Sequence, residues 1–515
     1  MDEDDKPACR VAVAGAGFSG AILARQLRME PGFEVVCFEK MAEKSVRKHW
    51  TQPVTGAGAS QLRAHPTARA APPLLRPCSM GPHHTCSSLT HCGGPTGLNI
   101  NPNALAAMKC GDPALEAQLR GIGLPRESVR ASTVSGHPLY EVDMVEDGLA
   151  STTGCRVRWD DANTLIRQAA GDCIQFGTAI VDHVVAPDGK ITLTLEHSDG
   201  STTQEADFDL LVAAEGRYSP TRARCSGTPA TNYGDVCNFR ILVPNAQPDG
   251  SPWPQEVGET GLFDDLQLVY NDAPSVENLA PGSALRSDPE FTGCVMRSTP
   301  RVGIMRIPAS KFRDDVGESL YIFGNFAIPD GGDIPESSKT AEAMHCLFTP
   351  AGGDAALTPE GSFIRETLSR NAEKLHWARF QDIEPQFSDE SGHVCMLGDA
   401  AHAFCPSLGQ GATTSIEDAF IAASELRKTM RECAGRAEMS AALPATLRRI
   451  GQRQTDRVTF IRDISTEAGR HLRFHDGSPD GRRTLEDDAR AWTCDDHKSA
   501  WRSSVRRMWL DYPQA

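Results

Sequence analysis

The feature that most constrains this chain lies at its start. From Arg10 it reads RVAVAGAGFSGAILARQLRMEPGFEVVCFEK. Val11 to Ala14 form a short apolar run that reads as a buried strand, and Gly15, Gly17 and Gly20 follow in G-x-G-x-x-G spacing. Ala21, Ile22, Ala24 and Leu27 then recur at helical spacing, which predicts a helix from about Phe18 to Met29, and Pro31-Gly32 ends it before a second strand, Glu34 to Phe38. Glu39 closes that strand nineteen residues after Gly20, where a carboxylate can accept the hydroxyl hydrogens of an adenosine ribose. Each glycine has a physical task in a βαβ unit: a tight turn at Gly15, close backbone approach to a pyrophosphate at Gly17, and helix–strand packing at Gly20. Gly15, Gly17, Phe18, Ser19, Gly20, Glu39 and Lys40 are therefore candidate dinucleotide contacts, against the plainer reading of a structural glycine turn. FAD and NAD share this unit, so it does not choose between them.

A second strand–loop–helix lies far downstream, in HVCMLGDAAHAFCPSLGQGATTSIEDAFIAASEL. His393 to Leu397 read as a strand, Gly398-Asp399 follow, and Ile416, Ala419, Phe420 and Ala423 mark a helix. Between them a loop punctuated by Pro406, Gly409 and Gly411 can bring backbone N–H groups close to a ligand. Asp399 stands at the strand end, where it can bond a polyol hydroxyl; an ordinary strand-to-helix turn is the competing reading.

Four blocks in this order resemble the single-component (group A) FAD-dependent aromatic hydroxylases, the group of salicylate hydroxylase and p-hydroxybenzoate hydroxylase. They are VAVAGAGFSG with Glu39, TGLNINPNALAAM, DFDLLVAAEGRYSPTR and GDAAHAFCPSLGQGATTSIEDA. The likeness covers residues 10 to about 430. It implies that Asp399 bonds the ribityl chain of FAD, that Gly409 and Gly411 offer N–H groups near the pyrimidine edge of the flavin with Ala412 a further cofactor contact, and that Pro406 lines the cavity beside the ring. Arg158 matches a family arginine at the flavin's polar tail, with a solvated helix-start charge as the alternative. Glu215 and Gly216 fall in the third block, whose S-x-x-R tail is matched by Ser219 and Arg222; Glu215 replaces the usual Asp, and Thr414 replaces the usual Asn in the fourth. The fold implied is α/β plus antiparallel sheet, a Rossmann-like FAD-binding domain interleaved with a substrate domain of p-hydroxybenzoate hydroxylase type, plus C-terminal helices. The activity implied is hydroxylation of a phenolic or heteroaromatic small molecule with NADPH or NADH and O2, through a flavin C4a-hydroperoxide. Epoxidation, Baeyer–Villiger oxygenation and a catalytically inactive flavin-binding protein are the alternatives.

Between Ala223 and about Gln381, strand-like stretches such as GLFDDLQLVY and SLYIFGNFAIP alternate with Pro, Gly and Asp turns, which predicts an antiparallel sheet. Arg240, in a family-like Y-x-G…R-x-x-V-P stretch with Tyr233 nearby, is a candidate anchor for a phenolate or carboxylate, against a surface salt bridge. His402 is a weak candidate base, since it belongs to the fourth block and has a structural reading. The expected division is 1–50, 97–222 and 386–430 for the three parts of the FAD-binding domain, 223–385 for the substrate sheet, and 431–515 for C-terminal helices packed outside with solvated charge runs.

Residues 51–96 stand apart. They hold seven Pro, four His and three Cys, and no Asp or Glu occurs between Glu43 and Asp112 in a chain with 68 acids. Cys78, His83, His84, Cys86, His91 and Cys92 match no standard zinc spacing, so the segment reads as an anomalous insertion, disordered or intron-derived, and no metal is expected. The net charge of -16 argues against a nucleic-acid partner. No run is long and apolar enough for a membrane span, and sixteen scattered Cys fit a reducing, cytoplasmic setting.

Overall fold

The computed structural model describes residues 8–41, 96–226, 231–247, 249–271, 274–328, 333–469 and 500–510. The Cys/His-rich segment thus lies outside the described residues. The strand Cys9–Ala14 leads into the helix Phe18–Arg28, and Phe33–Glu39 returns beside it, so the predicted βαβ unit forms within a residue or two of its expected bounds. These strands belong to a parallel five-stranded sheet in the order Val394–Met396, Leu210–Ala213, Cys9–Ala14, Phe33–Glu39, Ile174–Phe176. Val11, Ala12, Val13, Leu210, Leu211 and Val212 are fully buried, as a sheet covered on both faces demands.

A seven-stranded sheet forms the second large layer. Its strands run His376–Asp382, Thr231–Pro244, Ser319–Ala327, Arg301–Ile307, Leu266–Tyr270, Ser128–Thr133, Pro138–Asp143. The last two precede the segment expected to supply this sheet, and Leu266–Tyr270 pairs with Ser128–Thr133 in parallel, so the sheet is mixed at one step. Alternation sorts its side chains. Phe239, Ile241, Ile304, Ile322 and Phe326 pack on one face against Phe291, Met344 and Phe348 of covering helices. On the other face, Val236 and Phe380 meet Cys405, and Tyr270 and Tyr140 share a cluster with Phe404 and Leu408. This second face therefore receives the loop that follows Asp399.

The C-terminal helices Arg436–Gly469 and Ala500–Leu510 correct an expectation, because they are not simply an outer layer with solvated charges. Ile461, Ile464, Val505, Met508 and Trp509 are buried beside Phe404 and Leu408. Arg457 is buried too, and its Nε lies 2.6 Å from the Glu417 carboxylate, since a charge taken out of water needs a partner. Among the described residues no helix is long and apolar enough to cross a membrane.

Candidate active site

Two helix N-termini converge on Gly398. The helix Phe18–Arg28 starts after Gly17 with no side-chain cap and no acid in its first turn, and the helix Gly411–Glu432 starts after Gln410 in the same way. A Cβ on Gly398 would lie 2.8 Å from the hydroxyls of both Ser19 and Ser415, so the loop is gripped between the two helices. Gly15 has φ +94 and its absent Cβ would meet the Ala214 carbonyl at 2.5 Å; a Cβ on Gly20 would sit 2.0 Å from the Gly15 carbonyl. Those two glycines are imposed by packing. By contrast, nothing lies within 4 Å of a Cβ built on Gly17 or on Gly216, where the backbone faces open space.

Glu39 is buried and accepts from Ala16 N–H (2.9 Å), Met41 N–H (3.0 Å) and Arg167 Nη2 (3.2 Å). Lys40, next to it, is exposed. Phe18 and Ser19 are buried in the first turn of their helix. The Asp399 carboxylate is one-third exposed and 3.4 Å from Arg217 Nη2. Pro406 opens a short 3-10 turn that ends at Gly409, which has φ +63. Gln410 is fully buried; its Oε1 accepts from Asn103 while its Nε2 has no partner. Ala412 is half-buried just inside the helix, and Thr414 donates its hydroxyl back to the Gln410 carbonyl. Two uncapped helix starts, two open glycines, a buried amide nitrogen without a partner and an acid at a strand end fit a dinucleotide that carries a flavin.

Glu215 turns inward, where it accepts from Ser219 and Thr221 hydroxyls. Burial pushes its carboxyl above the usual range against the pull of those two hydrogen bonds. Arg222 donates to the carbonyls of Ala400, Ala401 and Glu384, tying the third block to the fourth. Arg158 is buried with its Nη2 on Pro308 and Gly317 carbonyls and on Ser319 Oγ, so the structure binds this group to the mixed sheet's hairpin, and burial lowers its pKa. His402 has no exposed surface; its Nε2 is 2.7 Å from Asp418, whose carboxylate also takes the Gly398 N–H and Gln454 Nε2. That geometry is a strut under the loop and leaves His402 out of reach of a substrate.

On the sheet face opposite its covering helices, Arg240 is half-buried with its Nε enclosed and without an acceptor. It lies across from Phe323 on one neighbouring strand and His376 on the other. Tyr321 and Phe323 stack with centroids 5.2 Å apart, and the Phe323 ring covers Gly303, where a Cβ would come within 2.2 Å of it. Tyr233 falls in the same strand as Arg240, in a stretch whose side chains are not described. Sequence reasoning missed a second arginine here. Arg301 is buried, donates to Asn325 Oδ1 and hydrogen-bonds Tyr270; burial pulls its pKa down, but Tyr270, Tyr140 and Cys405 outweigh that and raise it. The alternation of SLYIFGN could have placed Tyr321 and Phe323 on one face; which face meets the loop is a tertiary fact.

Comparison with known proteins adds the decisive observation. A family model described as an FAD binding domain matches residues 372–455. The FAD-dependent monooxygenase sor5 of Hypocrea jecorina is 25% identical over 348 residues, covering 64% of this chain and 66% of that protein. The FAD-dependent urate hydroxylase of Klebsiella pneumoniae is 27% identical over 265 residues, 50% of this chain and 52% of the relative. Over half or more of its length the chain is similar to FAD-dependent monooxygenases. It is also 24% identical over 471 residues to the chloroplastic zeaxanthin epoxidase of Oryza sativa subsp. japonica, 89% of this chain and 55% of the epoxidase. The chain thus spans about half to two thirds of the length of the curated relatives it matches. The crystal structure of Klebsiella pneumoniae HpxO with FAD and uric acid shares the fold at a TM-score of 0.56 and 17% identity, over 98% of this chain and 95% of that one. The 2,6-dihydroxypyridine-3-hydroxylase of Arthrobacter nicotinovorans does so at 0.55 and 15%, over 92% and 96%.

Proposed function

We propose that this flavin monooxygenase relative uses NADH or NADPH and O2 to hydroxylate an aromatic small molecule. The carrying observation is the juxtaposition of two uncapped, glycine-lined helix starts with a sheet face that bears an aromatic pair and two buried or half-buried arginines. When bound, FAD would supply the electron exchange with the nicotinamide and the activation of oxygen. Asp399, Gly17 and the Gly409–Gly411 loop would hold it. The chain's own residues would then handle the substrate. Tyr321 and Phe323 offer a flat apolar surface to a ring. Arg240, whose Nε lacks an acceptor, would take a phenolate or carboxylate oxygen. A guanidinium favours the anionic form of a phenol it bonds, so Arg240 would leave the bound ring electron-rich, with Arg301 adding positive charge on the same sheet face. Phe404, Leu408 and Trp509 would keep water from the loop.

The zeaxanthin epoxidase match, which runs over most of this chain, favours epoxidation of an alkene as a second reading. One assay separates the two. Purified protein is expected to be yellow, and its NADH or NADPH oxidation to be stimulated by members of a panel of phenols, quinolones, indoles and isolated alkenes, with product mass raised by one oxygen. Products from the aromatic members support hydroxylation, whereas products from the alkenes alone would move the assignment to epoxidation. A colourless protein, or a yellow one that no panel member stimulates, would sink both.

A further inference from the structure

Arg126 ends the short strand Leu124–Arg126, is 2% exposed, and has no carboxylate within ion-pair reach among the described residues. Its Nη2 donates to Asn101 Oδ1 at 2.7 Å, its Nε is enclosed without a partner, and its guanidinium lies 5.6 Å from the Trp509 ring centroid. Gly154 leaves the room it occupies, since a Cβ there would be 3.1 Å from Arg126 Nε. Two more arginines stand in the same region. Arg156 is 4% exposed with Nη1 unpartnered, and Arg306 has an enclosed Nε without an acceptor. The carboxylate that acts on Arg126 and Arg156 is Asp265, which already accepts from Glu127 N–H, Ser128 N–H and the Ser128 hydroxyl. The region is therefore a buried excess of positive charge. Burial brings Arg126 down to about 10, which still leaves it charged at neutral pH. Keeping a cation in a low-dielectric interior with no carboxylate in contact is costly, and its field reaches further there than it would in water.

Asn101 links Arg126 to the flavin loop. The same side chain that accepts from Arg126 donates Nδ2 to the Gly409 carbonyl at 2.9 Å, and its backbone N–H reaches Thr413 Oγ1 in the first turn of the helix Gly411–Glu432. A Cβ on Gly409 would have Asn101 Nδ2 as its nearest neighbour, at 3.7 Å. Arg126 is thus one side chain removed from the loop proposed above to hold the flavin ring.

We propose that Arg126 is a positioning residue that, through Asn101 and the Gly409 loop, makes the bound flavin easier to reduce by favouring negative charge on its ring. The proposal rests on the FAD reading. A cation in low dielectric stabilises a charge that develops nearby, and it does so without contact. The probe is sulfite, a nucleophile that adds to oxidised flavin, bleaches its yellow band and leaves the ring negatively charged; a reductive titration against a dye gives the potential. Both are read on FAD-loaded protein without turnover. Arg126→Gln is expected to bind sulfite about tenfold more weakly, and to lower the two-electron potential by about 30 mV, the equivalent of that factor. Arg126→Lys, which keeps the charge, is expected to stay within about threefold of the wild type. If Arg126→Gln does not fold, Asn101→Asp sets a carboxylate against the same guanidinium and is expected to weaken sulfite binding too. Yellow Arg126→Gln protein with wild-type sulfite affinity would overturn the proposal, as would equal losses in the Gln and Lys variants, which would mark a purely structural tie. Wild-type protein that takes up no FAD would instead bring down the flavin reading on which the proposal stands.

Discussion

The two strand–loop–helix units that face each other across Gly398 are built on different principles. In the N-terminal unit the loop is shaped by steric exclusion: Gly15 and Gly20 pack so closely on neighbouring backbone that no side chain fits. In the C-terminal unit the loop is shaped by buried polar side chains drawn from far along the chain. Asp418 holds Gly398 N–H, His402 and Gln454, while Asn101 holds the carbonyl of Gly409. A steric rule leaves a spacing in the sequence. A network of long-range hydrogen bonds leaves only residues of ordinary kinds at unrelated positions.

If that contrast is right, the largest effect comes from breaking the steric unit at its tightest point. Gly20→Ala should cost roughly 3 kcal/mol or more by overpacking and should abolish FAD retention, seen as a lowered melting temperature and loss of the yellow band. Next, Asp418→Ala should cost about 1–3 kcal/mol for each buried donor it leaves unpaired, with FAD retained more weakly; a melting temperature like that of the wild type would refute the strut. Gly17→Ala sharpens the comparison from the other side. Its Cβ meets no protein atom, so thermal stability without cofactor should hold while FAD affinity falls about tenfold, about 1.4 kcal/mol. The smallest effect concerns Glu215, whose folded pKa is raised by burial. A raised carboxyl favours the folded state below its unfolded value and loses that contribution as pH rises through the folded one. Glu215→Gln should therefore gain on the wild type, by under about 1 kcal/mol, as melts are taken from pH 4 to pH 7; a constant difference would show that Glu215 does not titrate in this window.

The same contrast explains what could be read in advance. The βαβ unit, the acid at Glu39 and the Asp399 strand end were legible because local periodicity and glycine spacing specify them. The fourth block was legible through family likeness more than through physics. Only the packed structure shows that Glu215 turns inward, where Ser219 and Thr221 receive it. Arg301, Tyr270 and Arg126 carried no signal at all, since an arginine in a strand ordinarily reads as a surface charge, and their burial depends on which elements meet across the sheet. The two strands Ser128–Thr133 and Pro138–Asp143 escaped the substrate sheet for a related reason: pairing partners far apart in the sequence are not encoded by either strand alone.

The central strand Cys9–Ala14 lies against Leu210–Ala213, and that strand in turn against Val394–Met396. The strut beneath the Gly398 loop needs Gln454 as well. During synthesis, then, the glycine turn at Gly15 waits through most of translation with its sheet unfinished, and no nascent chain that ends before Gln454 holds a complete site. Completion of the loop beneath Gly398 is therefore a late event in the assembly of this domain. Such long-range pairings also make for slow folding, so exposed edges of the unfinished sheet set the window in which this protein is open to misassembly and to chaperones.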